Sequence, residues 1–197
     1  MNTLKAEKRT MDTKAKRLRR EGYVTGNVFG REMEGSMPVK MEKSAVEKLL
    51  KTSNKGSQIM LDVDGQSYDV LIKEIQFNPL KGQLDEIDFQ ALVSNEKVHS
   101  VAEIVLVNHD KLAAGVLQQH LEEISFRALP SALVDKIMVD VGDMKVGDVI
   151  KVKDLDIAKD KDVDLKTDLE AAVVSVAAVH VDPALEAEEE AAEEEAK

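Results

Sequence analysis

The sequence predicts a mainly β protein with a few short helices, laid out as two successive β-rich units and an acidic tail. Three observations carry that prediction. Apolar residues recur at period two in short runs, and Gly, Pro, Asn and Asp separate the runs, as in half-buried strands joined by turns. Hydrophobic content is 43%, enough for packed cores, but aromatics make up only 3% and Trp is absent, so the cores must rest on Val, Ile, Leu and Met. Charge is segregated: residues 1–55 hold 14 Lys/Arg against 7 Asp/Glu, residues 56–92 hold 2 against 7, and residues 93–197 hold 11 against 24. A chain of 197 residues suits one large domain or two small ones.

The basic charge is concentrated further. Arg9 to Arg20 carries six positive residues in twelve (Arg9, Lys14, Lys16, Arg17, Arg19 and Arg20), opposed only by Asp12, on a chain of net charge −11. The natural partner of such a segment is a polyanion, because Lys and Arg that neutralise phosphates release condensed counterions. The competing reading is a helix face that is basic and merely solvated.

Residues 22–30 are bounded and interrupted by glycine and read as a short strand. Val39 and Met41 alternate with polar neighbours, which suggests another. Ser44 followed by Glu47 has the spacing of a capping box, and Ala45, Val46, Leu49 and Leu50 then form a helical stripe. Residues 58–64 and 67–77 flank Asp64-Gly65, a strong hairpin signal. Asn78-Pro79 and Lys81-Gly82 mark the next turn, and residues 83–92 return as a strand. These strands and one helix can bury a common face, so residues 1–92 form the first unit.

The second unit spans residues 93–181. Residues 98–107 read as a strand, 108–115 as a loop, and 116–127 as one alternating run. Residues 133–141 and 149–152 supply further strands, and the Ala/Val run 169–181 favours a strand through its β-branched content. Short strands at this spacing predict a small β-sandwich. From Asp182 to Lys197, eight of sixteen residues are acidic, which predicts a disordered tail.

Nothing in the chain argues for an enzyme. There is no Cys, hence no disulfide scaffold, thiolate metal site or Cys nucleophile, which fits a reducing cytoplasm. His99, His109, His120 and His180 lack metal-ligand spacing. Acidic pairs such as Asp62/Asp64 and Asp85/Asp88 are expected by chance among 38 carboxylates. Gly22, Gly26 and Gly30 match neither a dinucleotide fingerprint nor a P-loop. Neither a signal peptide nor an 18-residue apolar window is evident, so the chain reads as a cytoplasmic protein with no membrane partner, no cofactor and no small-molecule substrate.

Several motifs resemble a known family. The order Ala6-Glu7-x-Arg9, Lys16-Arg17-Leu18-Arg19-Arg20-Glu21-Gly22, Val28-Phe29-Gly30, Lys73-x-x-Gln76-x-Asn78-Pro79 and Ile87-Asp88-Phe89 resembles the N-terminal domain of bacterial large-subunit ribosomal protein twenty-five. Ala114-Gly115-Val116-Leu117, Leu129-Pro130, Ile137-x-Val139-Asp140-Val141, Val146-Gly147-Asp148 and Lys153-Asp154-Leu155 are similar to the second domain of its longer form, known as Ctc or general stress protein. The resemblance implies a β-barrel-like first domain that binds 5S rRNA, a β-sandwich-like second domain, and a protein monomeric when free that joins the large subunit and its neighbouring ribosomal proteins. Carried over position by position, Arg9, Arg17 and Arg19 match family RNA-contacting arginines, Lys16 stands where Arg is common, and Gln76 and Asp88 match polar contacts on the strand face; the expected RNA-binding set also includes Lys14, Arg20, Phe29, Lys73 and Glu86. Arg supplies a planar fork for phosphate and base oxygens, and a carboxylate such as Asp88 accepts from a base amino group or orients an Arg. The chain departs from the family where Pro is usual (Thr25), where Tyr is usual (Phe29), where His is usual (Glu86), and at Met11-Asp12-Thr13, where a Gly-Lys-Gly-like stretch is usual. The alternative is a stress-associated paralogue that kept the fold as a protein–protein interaction module with weak or no rRNA binding.

Overall fold

The computed structural model describes residues 2–10, 12–33, 35–111 and 115–178; the expected tail at 182–197 lies outside the described residues. The first unit is a closed six-stranded barrel. Its strands are β1 (Thr3–Lys8), β2 (Tyr23–Phe29), β3 (Met37–Glu42), β4 (Gln58–Val63), β5 (Gln66–Asn78) and β6 (Gln83–Ala91), in the order β1-β3-β2-β6-β5-β4. Two helices, α1 (Ala15–Arg20) and α2 (Lys43–Leu50), interrupt the strands. The barrel closes through the parallel pairing of β1 with β4, and β2 runs parallel to β6. Inward residues alternate strictly on β4 (Ile59, Leu61, Val63), and Val24, Val28, Val70, Ile72, Ile87 and Phe89 join them with no solvent exposure. Burying each such side chain contributes about 1.5–3 kcal/mol, so this interior holds the unit together.

Local chemistry fixes the connections. Asp64 (φ 51°) and Gly65 (φ 88°) both occupy the left-handed region, as the two-residue β4–β5 hairpin requires. Gly26 lets β2 and β6 approach, since a Cβ there would stand 2.0 Å from the Ile87 carbonyl oxygen. The helix at 43–50 forms, but not through the expected capping box. Its N-cap is Glu42, without a side-chain cap, and Ser44 lies inside the first turn. β3 runs directly into α2, and the Lys43 N–H is satisfied by the Gly22 carbonyl at 3.0 Å, so the hydroxyl is not needed. Glu47 pairs with Lys43 at 3.7 Å instead.

The second unit contains β7 (Val98–Val107), β8 (Val116–Gln119), β9 (Glu123–Ala128), β10 (Lys136–Asp140), β11 (Val149–Lys151), β12 (Val163–Leu165) and β13 (Ala172–Ala177). They form a four-stranded sheet, β10-β7-β9-β12, and a three-stranded sheet, β11-β13-β8. Ala102, Ile104, Ile124 and Phe126 of the first sheet share a core with Val173 and Val174 of the second, giving the sandwich. The run expected as one strand over 116–127 is two strands in different sheets. At the break, His120 N–H donates to the Val173 carbonyl at 2.9 Å and the Gln119 amide donates to the Leu121 carbonyl at 3.0 Å, carrying the chain from one sheet to the other. The strand expected over 149–152 stops at Lys151, and Val152 opens a 3₁₀ turn.

The two units meet along a polar seam. Lys73 Nζ donates to the His99 carbonyl at 2.8 Å, Ser100 Oγ donates to the Gly56 carbonyl at 3.4 Å, and Lys55 pairs with Glu123 at 3.2 Å. Gly56 has φ 89°, and a Cβ there would stand 1.9 Å from the Val101 carbonyl oxygen, so only glycine allows this approach.

Candidate nucleic-acid interface

The outer face of β2, β6 and β5 gathers most of the expected site. Register places Thr25 beside Glu86 and Glu86 beside Gln76; Asp88 lies beside Glu74, and Phe29 beside Gln90. Period two turns these residues outward because their neighbours Val28, Ile87 and Phe89 fill the barrel. Helix α1 lies against β2 and is anchored by Leu18, which is 6% exposed, while Lys14, Lys16, Arg17 and Arg20 are exposed around it.

Arg19 connects helix and face. Its Nε donates to the Asp85 carbonyl at 2.9 Å and its Nη2 to Thr25 Oγ at 3.5 Å, while the Asp85 and Glu86 carboxylates each stand 3.9 Å away. Arg17 pairs with Glu21 at 2.8 Å on the open surface, a contact that contributes little to stability. Lys14, Lys16 and Arg20 have no ion-pair partner among the described residues. Arg9 follows the end of β1 and donates from Nη2 to the Thr13 carbonyl at 3.1 Å. Its buried Nε finds no acceptor among the described residues.

Asp88 is held in mid-strand. The Asn27 backbone N–H and side-chain amide both donate to its Oδ1, at 3.0 and 3.2 Å, leaving Oδ2 for another donor. The Asn27 amide also reaches Glu86 at 3.4 Å. Sequence reasoning missed Asn27 as a positioning residue, although its outward place between Thr25 and Phe29 follows from the alternation of β2. It also missed Glu74 and Asp85, which with Glu86 and Asp88 make the floor of the face acidic. The arrangement is therefore a basic rim over a floor of carboxylates and amides. The rim suits phosphate, and the floor suits the donor edges of bases.

Lys73 belongs elsewhere. The structure separates it from the α1 rim and puts it at the seam between the two units. Burial, and then the charge of Lys55, push its ammonium below the ordinary lysine value. A cavity of about 760 Å³ is also away from this face, between β1, β3 and α2, where Lys40 pairs with Glu7 at 2.7 Å. No group of His, Cys, Asp and Glu able to hold a metal occurs among the described residues. No helix among them is long and apolar enough to cross a membrane.

Comparison with known proteins places the sequence in a family. Residues 4–89 match the Ribosomal L25p family, and residues 97–180 match the Ribosomal protein TL5, C-terminal domain. The Large ribosomal subunit protein bL25 of Geobacillus thermodenitrificans is 36% identical over 142 residues, covering 71% of this chain and 67% of that one. The bL25 of Bacillus velezensis is 32% identical over 159 residues, covering 79% and 78%. The bL25 of Listeria monocytogenes is 33% identical over 157 residues, covering 78% and 75%. The chain belongs to the large ribosomal subunit protein bL25 family, in the two-domain form that joins an L25p domain to a TL5-type C-terminal domain.

Proposed function

We propose that this protein is a cytoplasmic component of the large ribosomal subunit that binds 5S rRNA through the α1 rim and the outer face of β2, β6 and β5. The family is structural and non-enzymatic. The observation that carries the reading is the joint placement of charge and polarity. The cations of α1 stand on an otherwise acidic chain, at the edge of a face where Asn27 aims Asp88 outward. A-form RNA presents a wide minor groove of hydroxyls and base edges flanked by phosphates, and a rim-and-floor surface is complementary to it. Lys14, Lys16, Arg17 and Arg20 take phosphates; Arg19, Gln76 and Asp88 take sugar and base edges; Phe29 offers an aromatic edge beside them.

Titration of the full chain against 5S rRNA, with an unrelated structured RNA as control, tests the reading, together with co-sedimentation with large subunits in moderate salt. Preferential binding to 5S rRNA and co-sedimentation are expected. Equal binding to both RNAs, with no co-sedimentation, would instead favour a protein–protein interaction module.

A further inference from the structure

We propose that the cleft between the barrel and the second domain, walled by Lys55, Lys73 and Lys166, is a second phosphate-binding site, which takes the sugar–phosphate backbone of the RNA that α1 contacts. The inference rests on the RNA-binding reading above. It adds a site at the seam itself, formed only when both domains are present.

The cleft encloses about 260 Å³ and draws its walls from three places. Lys55 and Gly56 come from the segment before β4, Lys73 from β5, and His99, Ser100, Ser125 and Lys166 from the second domain. Three lysines, one histidine and two serine hydroxyls line it, and no Asp or Glu does, on a chain with 38 acidic against 27 basic residues. The close approach of Gly56 to Val101 closes its back and fixes the walls. Arg127 pairs in register with His99 and extends the positive strip beyond the mouth.

The lysines are only partly neutralised. Lys55 has Glu123 at 3.2 Å outside the cleft. Lys73 spends one N–H on the His99 carbonyl, which leaves two donors and an undiminished charge. Asp164, whose carboxyl feels the Lys166 charge, is held by Lys97 at 2.8 Å. Burial and the neighbouring Lys55 charge press the Lys73 ammonium toward losing its proton, a cost that an anion between the two would relieve. Lysine binds phosphate as a point charge, and a phosphate oxygen accepts from hydroxyl and ammonium donors together. The competing reading makes Lys73 a strut that only ties the domains together. Lys166 separates the two, because it is exposed and makes no bond across the seam among the described residues.

The test measures 5S rRNA binding by the full chain across a range of KCl concentrations, for wild type, Lys166→Ala, Lys73→Ala and the pair Arg17→Ala/Arg19→Ala. A lost phosphate contact changes the log–log salt slope by about 0.7–0.9. Lys166→Ala and Lys73→Ala should each flatten the slope by roughly that amount and weaken binding about fivefold at low salt. If both lysine variants keep the wild-type slope while the arginine pair flattens it, the cleft is not a phosphate site and the RNA reading stands. If neither the lysine nor the arginine variants change it, both fail. A flattening by Lys73→Ala alone assigns that lysine to domain positioning and overturns the inference. Inorganic phosphate, followed by amide NMR shifts at Gly56 and Ser100, distinguishes the source. Shifts that saturate in phosphate and that 5S rRNA does not displace would assign the cleft to a free anion and overturn the RNA assignment.

Discussion

At Glu86, where His is usual in the resemblance, the structure shows what the carboxylate touches. It stands 3.9 Å from Arg19 and accepts from Asn27 at 3.4 Å, so on the proposed reading it competes with RNA for that arginine. Glu86→His should therefore raise affinity for 5S rRNA. It removes an anion that repels phosphate and supplies a ring N–H, and a charge-assisted hydrogen bond contributes about 1.5–3 kcal/mol before opposing costs. Phe29→Tyr adds one neutral hydroxyl and should help less. Filter binding against 5S rRNA and a control RNA checks this; a gain on both RNAs alike would show that Glu86 does not guard a specific site. A second residue contributes to the acid dependence of stability. Lys151 and Lys153 hold the Glu170 carboxyl down to about 2 by direct hydrogen bonds and then by charge. Because the folded value lies below the unfolded one, the contribution is complete above the ordinary carboxylate range and is lost as pH falls through that range toward about 2. Glu170→Gln should flatten the fall of the urea midpoint across that window and leave the slope above it unchanged. An unaltered acid limb would contradict the assignment.

Among the elements, α1 is the one on which the proposed RNA-binding function depends most directly. It has six residues, no side-chain N-cap and three basic side chains in its last turn, so it gains little from its own sequence. It depends on Leu18 against the barrel wall and on the Arg19 bond to the Asp85 carbonyl. Leu18→Ala should cost about 2 kcal/mol, the low end for a buried leucine, since the site lies on the outer wall. It should also weaken 5S rRNA binding without removing any cation. Hydrogen exchange across residues 15–21, measured beside RNA affinity, checks both; protection and affinity at wild-type level would show that α1 stands without its anchor. The same element shows where sequence was informative. Its basic density was legible, as were the Asp64-Gly65 hairpin and the alternation of β4. β1 was not, because Leu4 and Ala6 are its only buried side chains, too few to show a period. β12 was hidden by its three-residue length. The break at His120 was invisible because sheet exchange depends on strands outside the run itself, β13 for β8 and β7 for β9. Of the site, the outward polar residues of β5 and β6 were legible from family motifs and period. The Asn27–Asp88 bond was not, since it crosses between strands joined only by the fold, and neither was the place of Lys73 at the seam, for the same reason.

At the scale of the whole molecule, charge and architecture divide the labour. The excess of positive charge sits in the first quarter of a chain whose remainder is acidic, so on the proposed function RNA would approach from the α1 side and, on the inference above, at the seam. We propose that residues 1–92 fold alone, because the barrel closes on itself and its core is filled from its own strands. The isolated fragment should melt cooperatively, at a midpoint lowered by loss of the seam contacts of Lys73 and Lys55; a flat, uncooperative melt would place the boundary elsewhere. The central claim is that the α1 rim is an RNA-binding surface. Its most direct test is the salt dependence of 5S rRNA binding by the full chain with Arg17→Ala and Arg19→Ala together, after a thermal melt has established that the variant is folded. The account predicts weaker binding and a log–log slope flatter by about one to two units, one phosphate contact being worth about 0.9 on duplex DNA and somewhat less on single strands. Wild-type affinity with an unchanged slope would contradict it and leave the basic segment a solvated helix face.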